Sequence, residues 1–497
     1  MLARLLQLTL TNYRLQDLKI FLLALLISIP PVGLTIAKPS QASINLPTLA
    51  NPSISASLST EYQLGRNWAR ILRGRAPLLN DPITFHYIDE LLWDLVPHSE
   101  LSDRRLELIL IDNPTFNAFA VPGGIIGVHS GLIVAAGSED ELASVLAHEI
   151  AHLSQRHYAQ RIEEERRNRP MVLAGVLASI LIASANPEGG AAVLTGTVGA
   201  QAQAQLNFSR RNEEEADRIG MQTLAAANRD PRAMPQMFSR LQRSHRFSGQ
   251  QPPEFLLTHP VTESRIADSL NRAETLPPVT PRPASIDFDI IKTRMEVHLS
   301  NQPSESLQRF LSESQDNNTA KGHYGVLLSA MRTHELSLAR HALDQLPNNW
   351  RQHLYVELSE IELLLAEQNF TTARQKSERM MSLYPDSYPV MKVHAAVMYQ
   401  SGQPALAASV YRSILQSLPT DVDSWYQLAE TEGLAGNITG VHEARIEYFL
   451  LTGNIDSAMQ QVTFAQRERN LHPSDLARLE QLEAETIEIR RQLKEDF

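Results

Sequence analysis

The chain has 497 residues, 43% of them hydrophobic and 20% charged, with a formal net charge of −11 and no cysteine. That balance fits a globular chain of two or three domains, and its acidity argues against nucleic acid as the main partner, because phosphate binding needs a basic face. Without cysteine there are no disulfides, thiolate metal sites or lipid-modified N-terminal cysteine, so any metal must be held by histidine and carboxylate, a ligand set typical of catalytic sites.

Arg4, Arg14 and Lys19 precede an apolar run that starts at Ile20 (IFLLALLISIPPVGLTIA), and Ser40-Gln41-Ala42 supplies small residues where a signal peptidase reads. This predicts a signal peptide over 1–42, cleaved near Ala42, and export to a bacterial periplasm. A retained anchor is the alternative; Pro30 and Pro31 inside a short apolar core disfavour it. Residues 43–58 are Ser- and Pro-rich and are expected to be disordered.

Apolar residues recur at helical intervals from Glu61 to Leu72 and from Pro82 to Val96, with Trp68, Ile71, Tyr87, Leu91 and Leu95 marking the stripes. Leu106 to Ile111 (LELILI) has the length and apolarity of a strand. Two further apolar runs, 117–121 and 125–129, flank Pro122-Gly123-Gly124 and predict a hairpin. Its edge would either pair with an extended peptide or only pack the core.

Ser138 to His157 reads SEDELASVLAHEIAHLSQRH. Ser138 and Glu141 have the spacing of a capping box, and Leu142, Val145, Leu146 and Leu153 predict a helix with one buried side. His148 and His152 lie four residues apart, about 400° of turn, so both rings share one face. That is the H-E-x-x-H spacing of a zinc hydrolase, in which two imidazoles hold Zn²⁺ and Glu149 serves as general base. The bland reading is a helix with two surface histidines and a glutamate.

Met171 to Ser184, with the small-residue segment that runs on to Gln205, is too short to cross a bilayer comfortably and predicts a buried helix. A place near the cleft or peripheral contact with a membrane surface is the alternative. Arg211 to Gly220 (RNEEEADRIG) predicts a second helix that carries Glu213 and Asp217 one turn apart. Glu213 can supply the missing zinc ligand, and Asp217 can hold the far nitrogen of a ligating histidine; otherwise Glu213 to Glu215 is a solvated acidic face.

Four prolines in Pro277-Pro278-Val279-Thr280-Pro281-Arg282-Pro283 mark a stiff linker, 274–285, between a domain over 59–273 and a helical domain over 286–497. Pro385 and Pro419 lie 34 residues apart, as do Gln368, Gly402 and Gly436 in turn, with Ala373 and Ala407 at matching small positions. Tyr411 follows the second alanine by four residues, and Trp425, Leu428 and Ala429 open the next unit. This is the period of tetratricopeptide repeats, clear over 354–455, with Pro347 pointing to an earlier unit and a charged helix from Ser474 capping the array.

Taken together, Asn117-Ala118-Phe119, Pro122-Gly123-Gly124, His148-Glu149-Ile150-Ala151-His152, and Ser209-Arg210 leading to Glu213 and Asp217 resemble the BepA-type periplasmic metalloproteases, a branch of the HtpX-like zinc peptidases. Thr258-His259-Pro260 with Glu263, Ser264 and Arg265 fits the same pattern. The resemblance implies a mostly α fold with a small β-hairpin or sheet, an HtpX-like zinc peptidase domain followed by a tetratricopeptide-repeat α-solenoid. It implies one Zn²⁺ held by His148, His152 and Glu213, Glu149 as base, and Asp217 as an orienting or proton-donating group. It further implies unfolded or stalled outer-membrane β-barrel proteins as substrates, and contact between the repeats and the β-barrel assembly machinery. His259 is open to three readings: a fourth, inhibitory ligand, a group stabilising the tetrahedral intermediate together with Arg265, or a surface histidine. The rival function is a chaperone or scaffold whose repeats bind envelope proteins, with proteolysis secondary or latent. A membrane-embedded peptidase is a second alternative, disfavoured by the lack of a long apolar span after residue 42.

Overall fold

A computed structural model describes residues 58–158, 210–248, 254–280, 282–317, 319–468 and 471–496. The expected signal peptide, the segment before Leu58 and the apolar pair between Met171 and Gln205 lie outside the described residues. Among the described residues no helix is long and apolar enough to cross a membrane.

Helix α1 (Leu58–Arg75) and α2 (Pro82–Leu95) lead into strand β1 (Glu107–Ile111). Asp81 caps α2 by accepting the Ile83 N–H, and Pro82 sits at the first helical position, where a missing N–H costs nothing. Strands β2 (Ala118–Val121) and β3 (Ile125–His129) form the expected hairpin. β3 is central, antiparallel to β2 and parallel to β1. Gly123 and Gly124 turn the hairpin with φ of 84° and 80°, a region in which side chains are strained.

All fourteen strand residues are buried, because both faces of the sheet are covered. Ile109, Ile111, Phe119, Val121 and Ile125 pack with Trp68 and Leu72 of α1. Leu108, Leu110, Ala118, Ile126 and Val128 face the main core. A Cβ at Gly127 would fall 2.1 Å from the Phe119 ring, so glycine there makes room for the cross-strand aromatic.

After α3 (Ser130–Ala135) comes α4 (Glu139–Ser154), which carries the histidine motif. Ser138 Oγ accepts the Glu141 N–H as expected, but the Glu141 carboxylate accepts the Gly137 N–H instead of closing the box on Ser138. The sequence pattern predicts one buried side; instead every residue from Glu141 to His152 is buried. The reason is that α4 lies among β2, α2, α5 (Arg210–Ala226) and α6 (Ala233–Ser248). The short α7 (Glu254–Thr258) and α8 (Glu263–Thr275) complete the layer.

Residues 276–280 and 282–285 carry no regular element. Beyond them run α9 (Ile286–His298), α10 (Pro303–Asn317), α11 (Ala320–Arg332), α12 (Leu336–Gln345) and the single-turn α13 (Asn348–Arg351). The pairs α14 (Leu354–Ala366) and α15 (Phe370–Leu383), α16 (Tyr388–Gln400) and α17 (Pro404–Ser417), and α18 (Val422–Ala435) and α19 (Ile438–Leu451) follow. α20 (Ile455–Ala465) and α21 (Pro473–Asp496) end the array. The turns inside successive pairs fall at His334, Gln368, Gly402 and Gly436, all left-handed, with φ of 60°, 58°, 75° and 80°. The 34-residue period therefore begins one unit earlier than the clear sequence signal.

The described residues belong to one compact unit. A single apolar cluster runs from Leu79 and Ile88 of the first part through Phe288 and Ile291 to Ala444 of the repeats. The Pro-rich run thus separates two architectures that share a core. Arg294 of α9 binds Asp81 ahead of α2 and Glu362 of α14. At the far end α19 and α21 return to α1, where Gln63 donates to Gln492 over 2.6 Å.

Candidate metal centre

His148 and His152 stand one turn apart on α4, and α5 crosses them closely because residue 220 is glycine. A Cβ there would lie 3.2 Å from the His148 backbone nitrogen. This approach brings Glu213 to the pair: its oxygens lie 3.6 Å from His148 Nε2 and 3.5 Å from His152 Nε2. The two Nε2 atoms are 3.0 Å apart. His259, at the end of α7, adds Nδ1 at 3.0 Å from Glu213 and 3.4 Å from His148 Nε2. One ligand atom from each of the four residues lies within 4.8 Å of the others, and all four side chains are buried. Ring nitrogens and a carboxylate that converge on one point in a dry pocket can share a cation, so this donor set fits a metal ion.

Glu149 also points into the pocket, with Oε1 3.8 Å from His259 Nε2. The Ala120 N–H faces this carboxylate and favours its ionised form. His129 N–H donates to Asn117 O, so the alternation of an antiparallel pair turns the Ala118 and Ala120 amides away from β3 and toward this pocket. Asp217 Oδ1 lies 3.0 Å from His148 Nδ1, the nitrogen opposite the cluster. Arg265 grips Asp217 with two bonds of 2.7 Å and reaches Glu213 and the Pro260 carbonyl with Nη1.

The charges divide by position. Burial works against the cationic form of His148, yet the hydrogen bonds it donates to Asp217 and Glu213 raise its pKa to about 9. Burial and the neighbouring His148 hold His152 well below the usual value. For Glu213 burial opposes ionisation, but the charges of His259 and Arg265 keep its carboxyl well below the ordinary range. Asp217 is lowered in the same way, chiefly by Arg265. Glu149 moves the other way: burial pushes it up.

All seven residues singled out in the sequence meet here. Two of the alternative readings drop out. His259 is buried and stacked on Phe255 with centroids 4.8 Å apart, so it is not a surface histidine. Glu213 is likewise buried and not part of a solvated face. Arg265 spends its guanidinium on two carboxylates and a carbonyl. Sequence reading passed over His157, which stands against His152 on the side away from the cluster; the only cue was a histidine just past the helix end.

Residues 82–273 match Peptidase family M48, and with the histidine–glutamate cluster this defines the protein as a metallopeptidase of that family. The chain is 35% identical over 493 residues to the beta-barrel assembly-enhancing protease of Escherichia coli O157:H7, covering 97% of this chain and 98% of that one. It is 32% identical over 432 residues to a putative beta-barrel assembly-enhancing protease of Vibrio cholerae, covering 85% and 88%. On this similarity the chain belongs to the beta-barrel assembly-enhancing protease family. A mitochondrial metalloendopeptidase OMA1 of Schizosaccharomyces pombe is 33% identical over 183 residues, 36% of this chain and 50% of that one. The solved TPR domain of P58(IPK) aligns with 73% of this chain and 96% of its own at 12% identity, with a TM-score of 0.15, too low to bear on the fold.

Proposed function

We propose that the chain is an exported, periplasmic zinc endopeptidase that cleaves unfolded or stalled outer-membrane β-barrel proteins and assists assembly of the rest. In this reading 1–42 is the signal peptide, 59–273 the catalytic part, 274–285 the linker, and 286–497 the repeat array that contacts the β-barrel assembly machinery. The observation that carries the enzymatic part is the convergence of His148, His152 and Glu213 on one point with Glu149 beside it. The names of the similar proteins support the assembly role.

His148, His152 and Glu213 would hold the zinc, which when bound acidifies water and polarises a carbonyl. Glu149 takes a proton from water and delivers it to the leaving amine. Burial raises its pKa above the ordinary carboxylate value, which makes it a stronger base than an exposed glutamate. Asp217 fixes the His148 ring through Nδ1, and Arg265 fixes Asp217. The outward backbone of β2 at Ala118 offers an extended chain a strand to pair with, which favours unfolded substrates.

His259 sits within the same 4.8 Å cluster. We assign it the fourth ligand position, which keeps the enzyme latent until the residue is displaced. His259→Ala should then raise casein cleavage; reduced cleavage with zinc retained would assign it to stabilising the intermediate. For the main reading, metal analysis should give one zinc per chain. Glu149→Gln should keep the zinc and lose most casein turnover, and undiminished turnover would refute the base. If Glu149→Gln still supports outer-membrane assembly in cells, the assembly role does not require cleavage.

A further inference from the structure

The two ligand histidines are backed in different ways. His148 presents Nδ1 to the Asp217 carboxylate. His152 presents Nδ1 to a second imidazole, with Nδ1 of His157 3.0 Å away. The rings are inclined at 75° with centroids 5.0 Å apart, so the contact is nitrogen to nitrogen and not a stack. His157 is fully buried, and its Nε2 lies 3.5 Å from a carboxylate oxygen of Glu215, which is partly exposed. The chain bends to bring this ring back: α4 ends at Ser154, and Arg156 takes a φ of 52°, a conformation uncommon for a side-chain-bearing residue.

We propose that His157 is the positioning residue for His152, accepting the His152 Nδ1 proton at its own Nδ1, with its Nε2 turned toward the Glu215 carboxylate 3.5 Å away. This rests on the zinc reading above. The protons follow in sequence. A neutral His152 that gives its Nε2 lone pair to a metal carries its proton on Nδ1. That proton faces His157 Nδ1, which must therefore be bare. A neutral His157 then carries its proton on Nε2, opposite Glu215. No other neutral arrangement sets a donor against an acceptor at both contacts. His157 thereby holds the tautomer and ring angle of one ligand, as Asp217 and Arg265 do for the other. Unlike Asp217, it does so without placing a charge next to the ring.

The test compares zinc affinity, by competition with a chromophoric chelator, for the full chain and for His157→Leu, His157→Asn and Glu215→Gln. His157→Leu removes the acceptor and should weaken zinc binding roughly 10–100-fold. His157→Asn places a carbonyl oxygen at the same branch of the side chain and should restore most of the affinity. Glu215→Gln keeps an acceptor for Nε2–H and should change little. Circular dichroism and melting of the metal-free forms report folding separately. If His157→Leu does not fold, the ¹⁵N imidazole spectrum of the histidine-labelled, zinc-loaded wild type decides. A neutral His157 with its proton on Nε2 supports the proposal; a proton on Nδ1, or an imidazolium, overturns it. Zinc held equally by wild type and His157→Leu defeats this proposal alone, and so does equal weakening by Leu and Asn. A wild type that takes up no zinc defeats the parent reading first.

Discussion

Arg265 neutralises two buried carboxylates at once, Asp217 by a two-pronged grip and Glu213 by a single bond. The planar fork is what allows this, and a lysine cannot reproduce it. Arg265→Met leaves both carboxylates facing one another in a dry pocket, and losing one partner of such a network costs about 3–5 kcal/mol. The metal-free variant should therefore melt well below wild type, and Arg265→Lys should recover only part of the loss. A melting point unchanged in Arg265→Met would show that neighbouring histidines already balance the charge. The pair His148 and His152 was readable because four-residue spacing puts both on one face of α4, whereas Glu213 comes from α5 and only the crossing of the two helices brings it to them. His157 was not readable, since its position depends on a left-handed Arg156 that no residue preference signals. Arg265 was noticed in sequence, which gives its charge but not the two carboxylates it binds.

In the repeats each pair turns on a left-handed residue, but only Gly402 and Gly436 adopt that shape freely, with nothing within 4 Å of where a Cβ would stand. His334 and Gln368 hold the same conformation at a cost of roughly 1–2 kcal/mol each. Gln368→Gly removes that strain but loosens the unfolded chain, so the net gain should be up to about 1 kcal/mol, read as a rise in melting temperature. A fall would mean that the Gln368 side chain packs favourably. The same residue shows why the array was clear only from residue 354. Glycine and proline punctuate the later units, whereas the earlier turn is made by His334 and followed by the inserted turn Asn348–Arg351. The helix carrying the motif was legible as a helix, but its burial on all sides depended on α5 and α6, which are distant in sequence.

Across the whole molecule, the repeats and the peptidase part share one apolar cluster, tied by Arg294 between Asp81 and Glu362. Heating should therefore give one calorimetric transition, and residues 59–273 expressed alone should aggregate; two separable transitions would argue for independent cores. A second tie is sensitive to pH. Glu447 on α19 is pushed up to about 7, by burial first and then by Glu485, against the opposing charges of Arg478 and Arg70. The folded state thus holds a proton that the unfolded chain releases near pH 4.5, so this contribution is complete at acid pH and is lost as pH rises through about 7. Glu447→Gln should be nearly neutral at pH 5 and stabilise by roughly 2–3 kcal/mol at pH 8. Equal melting shifts at both values would count against it. The return of α21 to α1, with Gln492 meeting Gln63, has a further consequence. An open-ended solenoid can gain or lose a unit with little effect elsewhere. This one is a clasped bracelet, in which removing a link would leave the fastener unable to reach its catch.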